Sequence, residues 1–113
     1  MPMKNSAPRD LFPGALEMMI LESLRRQPAH GYALVQHIQQ RSNNLLQVEE
    51  GSLYPALHRM EQSRWIGSEW ALTETNRKAK YYKLTAEGRR QLQQAEENFD
   101  QLVRGIRAML RYA

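Results

Sequence analysis

The sequence predicts a mainly helical protein of the α+β class, in which three short helices precede a β-hairpin and one long helix. Three observations support this prediction. Apolar residues recur at three- and four-residue spacing in three segments before residue 65, which is typical of amphipathic helices. Two segments between residues 66 and 84 alternate in polarity or are rich in aromatic side chains, as strands are. From residue 85 onward there is no proline, and the helical spacing returns.

The first half of the chain predicts an arm and two helices. Residues 1–12 have little periodicity and are expected to form a flexible arm. The first helix is expected from Pro13-Gly14 to about residue 26, because the following Gln27-Pro28 pair disfavours further helix. The second is expected from residue 31 to about residue 41, where the polar run 42–44 breaks it.

The third predicted helix has one apolar and one polar side. Leu53, Leu57 and Met60 fall at i, i+4 and i+7 and share one stripe. Ser52 is predicted to be the N-cap, which would put Pro55 in the first turn, where its missing N–H costs little. We expect the helix to end near residue 63 or 64. Its polar side carries Pro55, His58, Arg59 and Gln62.

A basic hairpin is predicted next. Residues 66–72 alternate as one strand, residues 73–79 form a polar turn, and residues 80–84 form the second strand. Trp65 and Trp70 are expected to pack at the base of this hairpin. Its charges could neutralise phosphates, or could simply face solvent. The basic residues are Arg77, Lys78, Lys80 and Lys83, against one acid, Glu74.

The last helix, from Thr85 as N-cap to the end of the chain, carries an a/d heptad seam. This seam is too long to be buried by the three short helices alone, so a dimerisation helix is predicted. The seam residues are Leu92, Ala95, Phe99, Leu102, Ile106 and Met109.

Three helices followed by a hairpin make the element order of a winged helix-turn-helix. In that arrangement the third helix enters the DNA major groove and the hairpin, or wing, reaches the flanking backbone. We therefore assign residues 13–84 to a DNA-binding domain and residues 85–113 to dimerisation. Arg59 is the residue best suited to a bidentate bond with guanine, and a phosphate contact is the alternative. The other candidate contacts are Gly31, Tyr32, Ser52, Tyr54, Pro55, His58, Arg77, Lys78 and Lys80.

Composition and motifs exclude other classes. The net charge of +4 favours an anionic partner, either nucleic acid or a membrane surface. There is no cysteine, and the three histidines have no metal-ligand spacing, so neither a metal nor another cofactor is expected. No defensible catalytic arrangement is present. No apolar run approaches the roughly 18 residues that span a bilayer, and no signal peptide is evident, so we expect a cytoplasmic protein.

Five segments together resemble the PadR family of transcriptional regulators. They lie at residues 13–17, 30–33, 49–58, 68–70 and 76–85, in the family's order and spacing. The resemblance implies a bacterial homodimeric repressor with a short C-terminal region. It also implies backbone contacts to DNA at the matching positions Tyr32, Ser52, Tyr54 and Lys80. The chain departs from the family pattern at Ala15, and at Arg64, where glycine often closes the third helix.

The sequence thus predicts a repressor that binds a double-stranded DNA operator with inverted-repeat symmetry as a homodimer. A small aromatic effector is implied by the resemblance alone. Four methionines could line an adaptable effector pocket or could be ordinary core: Met18, Met19, Met60 and Met109. The alternative function is a winged-helix adaptor that binds proteins and does not read DNA. A membrane partner fits less well, because the cations lie on a hairpin rather than on an amphipathic helix.

Overall fold

The structure, a computed structural model, describes residues 14–111 and confirms the α+β winged architecture. The arm predicted for residues 1–12, and Pro13, lie outside the described residues. No helix within the described part of the chain is both long and apolar enough to cross a membrane. The elements are α1 (Ala15–Arg26), β1 (Ala29–His30), α2 (Gly31–Arg41), α3 (Glu50–Gln62), β2 (Ile66–Leu72), β3 (Lys78–Leu84) and α4 (Ala86–Leu110).

One apolar core holds α1, α2, α3 and the base of the sheet together. The predicted stripe of α3 is fully buried in it, which confirms the periodicity argument. Burying each such side chain contributes about 1.5–3 kcal/mol, so this face of α3 is strongly fixed and its polar side is left outward. The largest fully buried side chains are Ile20, Leu21, Leu34, Leu53, Leu57, Met60 and Ile66.

The start of α3 differs from the prediction. The N-cap residue is Glu49, and Ser52 lies within the first turn, so the prediction of a Ser52 N-cap is wrong. The backbone fixes this start, because the N–H groups of Ser52 and Leu53 both donate to the Glu49 carbonyl at 3.0 Å. Pro55 consequently lies inside the helix rather than in its first turn. It cannot donate a hydrogen bond to the carbonyl of Gly51.

The end of α3 is a Schellman motif closed by an arginine. The N–H of Trp65 donates to the carbonyl of Met60, and the N–H of Arg64 donates to the carbonyl of Glu61, both at 3.0 Å. Arg64 has φ of 66°, in the left-handed region that favours glycine. Arg64, where this chain departs from the family pattern, is therefore the residue that must adopt a left-handed backbone conformation.

The wing is an antiparallel hairpin that starts its second strand earlier than predicted. Ile66 pairs with Leu84 at the base, and Leu72 pairs with Lys78 near the tip. The turn is therefore limited to residues 73–77, where the N–H of Thr73 donates to the carbonyl of Arg77 at 2.8 Å. The two extra residues of β3, Lys78 and Ala79, add two pairs at the tip of the wing.

No pattern in the sequence predicts β1. This two-residue strand pairs with the other edge of β3, Ala29 with Tyr82 and His30 with Tyr81, and makes the sheet order β1-β3-β2. The ring of His30 also accepts from the N–H of Ala33 at 3.2 Å and so caps α2. The start of α2 is thereby attached to the wing.

Thr85 caps α4, as predicted. Its hydroxyl oxygen accepts from the N–H of Gly88 at 3.0 Å and lies 2.8 Å from the carbonyl of Trp65. These contacts join the beginning of α4 to the end of α3. Only the first part of α4 reaches the core, where Leu92 is buried.

Candidate nucleic-acid interface

A groove of about 880 Å³ lies between the start of α2, the first turns of α3 and the wing. It brings together most of the residues predicted to contact DNA, although they come from three separate parts of the sequence. The predicted residues that line it are Gly31, Tyr32, Tyr54, Arg77, Lys78 and Lys80. Ser52, Pro55, His58 and Arg59 are not among its lining residues.

Gly31 allows α3 to approach α2 closely. A Cβ atom at this buried position would lie 2.4 Å from the Tyr54 hydroxyl oxygen, so a larger residue would displace the tyrosine. The Tyr54 ring therefore lies over the start of α2 and still exposes almost half of its side-chain surface. Tyr32 is also exposed, and its hydroxyl accepts from the Gln36 amide at 3.2 Å. Two tyrosine hydroxyls thus stand at one edge of the groove.

The most outward row of α3 carries few hydrogen-bonding side chains. Gly51, Pro55, His58 and Gln62 are exposed and fall at i, i+4, i+7 and i+11, so they share one line along the helix. Of these, only His58 and Gln62 have side chains that can hydrogen-bond to a base edge. His58 therefore lies where the sequence predicted.

Arg59 lies on the flank of α3 that faces α1. Its guanidinium Nη2 donates to Glu17 Oε2 at 2.8 Å, and the arginine side chain remains 60% exposed while that of Glu17 is 23% exposed. The sequence grouped Arg59 with Pro55 and His58, and the structure places it at the edge of their row. Ser52 lies two turns earlier on the same flank.

The opposite flank of α3 is fixed to the wing through Glu61, which the sequence analysis did not identify. Glu61 Oε2 accepts from the Ser68 hydroxyl at 2.5 Å, and Oε1 lies 3.3 Å from Lys80 Nζ. The Ser68 hydrogen bond, together with Lys80, lowers the pKa of the Glu61 carboxyl. Lys80 also lies 5.8 Å from the ring centroid of Tyr82. The signal available in the sequence was the seven-residue spacing from Tyr54, which puts Glu61 on the same flank.

The two tryptophans occupy different environments. Trp65 is partly buried and packs against the core, as predicted. Trp70 is 64% exposed, so the prediction that it packs at the wing base is wrong. The physical reason is the length of the hairpin, since β2 is buried only at Ile66 and its last four residues extend beyond the core.

The predicted seam of α4 is divided between two environments. Leu92 is buried in the core, and Ala95 is partly buried. The remaining four residues are exposed, from 37% at Phe99 to 80% at Met109. This exposed part of the seam, Phe99, Leu102, Ile106 and Met109, is called the distal seam below.

Three helices, an outward α3 and a basic hairpin beside it define a winged helix-turn-helix protein with a long C-terminal helix. The sequence matches the transcriptional regulator PadR-like family over residues 20–94. The chain therefore belongs to the PadR-like family of transcriptional regulators. Its members are regulators rather than enzymes, in agreement with the lack of a catalytic arrangement in the sequence.

Solved structures of transcriptional regulators resemble this chain, and one curated protein is similar to it in sequence. A transcriptional regulator from Clostridium thermocellum is 26% identical, with a TM-score of 0.82 over 90% of this chain and 99% of that chain. A PadR family regulator from Eggerthella lenta is 34% identical, with a TM-score of 0.76 over 88% of this chain and 85% of that chain. An uncharacterized protein from Lysinibacillus sphaericus is 31% identical over 71% of this chain and 73% of its own length.

Proposed function

We propose that this regulator is a cytoplasmic, sequence-specific repressor that binds an inverted-repeat DNA operator as a homodimer. The observation that carries the proposal is the groove, which places tyrosine hydroxyls, the start of α2 and three cations of the wing beside the outward row of α3. A helix of this kind fits the major groove while an adjacent hairpin reaches the flanking backbone.

The proposed contacts fall into two groups: those that position the protein on the phosphate backbone, and those that recognise the bases. Backbone N–H groups at Gly31, the hydroxyls on α2 and α3, and the cations of the wing contact phosphates and supply most of the affinity. The outward row of α3, with Arg59 at its edge, supplies the specificity. The proposed phosphate contacts are Gly31, Tyr32, Ser52, Tyr54, Arg77, Lys78 and Lys80; the proposed base-side contacts are Pro55, His58 and Arg59.

The distal seam supports the homodimer. Four large apolar side chains are exposed at alternating three- and four-residue spacing along α4, which is the pattern of a helix that pairs with another helix. Contiguous apolar surface of this kind commonly marks a protein interface. Pairing of two copies along α4 would hold the two α3 helices about 34 Å apart, one turn of DNA, and requires an operator with two-fold symmetry.

Selection of duplexes from a random library by the purified protein tests the function. We expect a common inverted repeat among the selected duplexes. The affinity for it should exceed that for mixed-sequence duplex of equal length by a factor of about 10³ or more. Weak binding with no enriched sequence would contradict the proposal and favour the protein-binding adaptor.

We also propose that a small aromatic molecule releases the repressor. Support comes from a cavity of about 410 Å³ between α1, α3 and α4, whose lining includes Met18 and Met60. Met19 lines a neighbouring cavity of about 330 Å³, whereas Met109 is exposed on the distal seam and lines neither. A thermal-shift screen with phenolic compounds tests this, and stabilisation should coincide with loss of binding to the selected duplex. No shift with any compound would favour a regulator without an effector of this class.

A further inference from the structure

The wing exposes two large apolar side chains among its cations. Trp70 is 64% exposed and Leu72 is 62% exposed. Arg77 and Lys78, also exposed, stand close by on the turn and on β3. Attraction to phosphates explains why the cations are exposed on the wing. It does not explain why two large apolar side chains are exposed beside them.

The strand register places the apolar pair on the same face as two of these cations. Trp70 is opposite Lys80, and Leu72 is opposite Lys78. Directly opposed residues in an antiparallel pair have their side chains on the same face. On this face the apolar pair of β2 therefore lies beside a pair of lysines on β3.

This face is the one that turns toward α3. Ser68, next but one to Trp70 along β2, bonds to Glu61 of α3, and Lys80 approaches the same carboxylate. Trp70 itself lines the groove together with Tyr54 and Lys78. The apolar pair consequently borders the surface that the proposed function gives to DNA.

We propose that Trp70, with Leu72 beside it, is a non-electrostatic DNA contact of the wing. It packs against deoxyribose and base edges of the minor groove next to the site where α3 binds. The inference rests on the proposed DNA binding. Two observations support nucleic acid as the occupant. Each apolar side chain lies directly opposite a lysine, so the lysine can contact a phosphate while the apolar side chain packs against the adjacent sugar. Apolar side chains are used in this way by minor-groove binders.

The salt dependence of binding separates this contact from an ionic one. An apolar contact displaces no condensed counterions, whereas each lysine–phosphate contact does. Trp70→Ala and Leu72→Ala should each weaken binding to the library-selected duplex, by about tenfold for Trp70→Ala, with the slope of log affinity against log salt unchanged. Lys78→Ala should lower that slope by about 1. Leu45→Ala, which removes an exposed apolar side chain between α2 and α3, should leave binding unchanged.

Tryptophan emission supplies a second readout. The chain has two tryptophans, so the Trp70→Phe variant emits from Trp65 alone. The selected duplex should change the emission of the wild-type protein and not that of Trp70→Phe. Trp70→Phe keeps an aromatic ring and should retain affinity within about threefold, and a thermal melt of each variant should match that of the wild-type protein.

The outcomes distinguish the two proposals. If the wild-type protein selects no sequence, the proposed function fails. If it selects one, but Trp70→Ala and Leu72→Ala bind it as the wild-type protein does, only the inference about the wing fails. A change in the sedimentation of DNA-free Trp70→Ala would overturn the inference as well, because it would show that the apolar pair contacts a second copy of the chain.

Discussion

Glu17 of α1 holds Arg59 of α3 through an ion pair of 2.8 Å that joins positions 42 residues apart. The pair determines where along the edge of α3 the guanidinium lies. It therefore bears directly on whether Arg59 reads a base or contacts a phosphate.

Replacing Arg59 with alanine separates these two roles. If Arg59 bonds to guanine, Arg59→Ala should cost about 1–3 kcal/mol of binding to the selected duplex and little with mixed-sequence duplex. Equal losses with both duplexes would assign it to phosphate. Glu17→Gln should lower the free energy of unfolding by less than about 1 kcal/mol, because Arg59 is 60% exposed and the attraction is screened by solvent. Urea denaturation of both single variants and the double variant measures that coupling.

Lys80 forms an ion pair with Glu61 and is also a proposed phosphate contact, so substitutions at both residues are informative. Lys80→Ala should weaken binding to selected and mixed-sequence duplex alike and lower the salt slope by about 1. Glu61→Gln should strengthen binding to both, because it removes a carboxylate that lies 3.3 Å from the lysine ammonium. Lys83→Ala is the matched control, since Lys83 pairs with Gly67 on the other face of the wing. Unchanged low-salt binding by Lys80→Ala would show that the wing does not contact phosphates there.

The left-handed backbone at Arg64 predicts a stabilising substitution. Arg64→Gly should raise the free energy of unfolding by about 1 kcal/mol, since glycine adopts this conformation without steric cost. Asn76 has φ of 63° in the wing turn and is the comparison. Asparagine tolerates the left-handed region, so Asn76→Gly should give a smaller gain. Urea midpoints of the two variants test the difference, and equal gains would argue against backbone strain as the cause.

The distal seam predicts the effect of charge on assembly. Phe99→Glu combined with Ile106→Glu should give monomers in sedimentation equilibrium, because two carboxylates would have to be buried in the helix pair. Gln101→Glu, on the exposed side of α4 away from the seam, should leave a dimer. A dimer that survives both seam substitutions would remove α4 as the interface.

The ring of His37 predicts a pH dependence of stability. Nδ1 lies 2.8 Å from the Ser23 hydroxyl, and burial, followed by the positive charges of Arg41 and Arg26, lowers the His37 pKa below 6.5. The unfolded chain then binds more protons just below that value, so the free energy of unfolding should fall as pH drops through it. Urea melts between about pH 7.5 and 5.5 measure the slope. His37→Gln should reduce the slope of the free energy of unfolding against pH. An unchanged slope would show that other groups cause the pH dependence.

Periodicity predicted those elements whose pattern is imposed by burial. The stripe of α3 was recognisable because Leu53, Leu57 and Met60 must all face one core. Thr85 was recognisable as a cap because its hydroxyl acts within one turn of its own helix. Interactions within one helix or strand can thus be predicted from the sequence of that element.

Interactions between segments far apart in the sequence could not be predicted from local patterns. The strand β1 has two residues, too few to show an alternation, and exists because β3 offers it an open edge. The alternation of polarity in residues 66–72 predicted the strand β2. It did not show where along that strand the core ends, so the exposure of Trp70 was not predicted. The Glu17–Arg59 pair joins two helices whose relative placement no local pattern encodes.

The position of Pro55 inside α3 gives the two ends of that helix unequal local stability. The C-terminal half is held by the Schellman motif and by the contacts of Arg59 and Glu61, whereas the N-terminal half contains Gly51 and lacks the hydrogen bond that Pro55 cannot donate. Amide hydrogens in the first turns should therefore exchange faster than those around Met60. The end of α3 nearest Tyr54 can then adjust its pitch against a bound surface while the core remains closed.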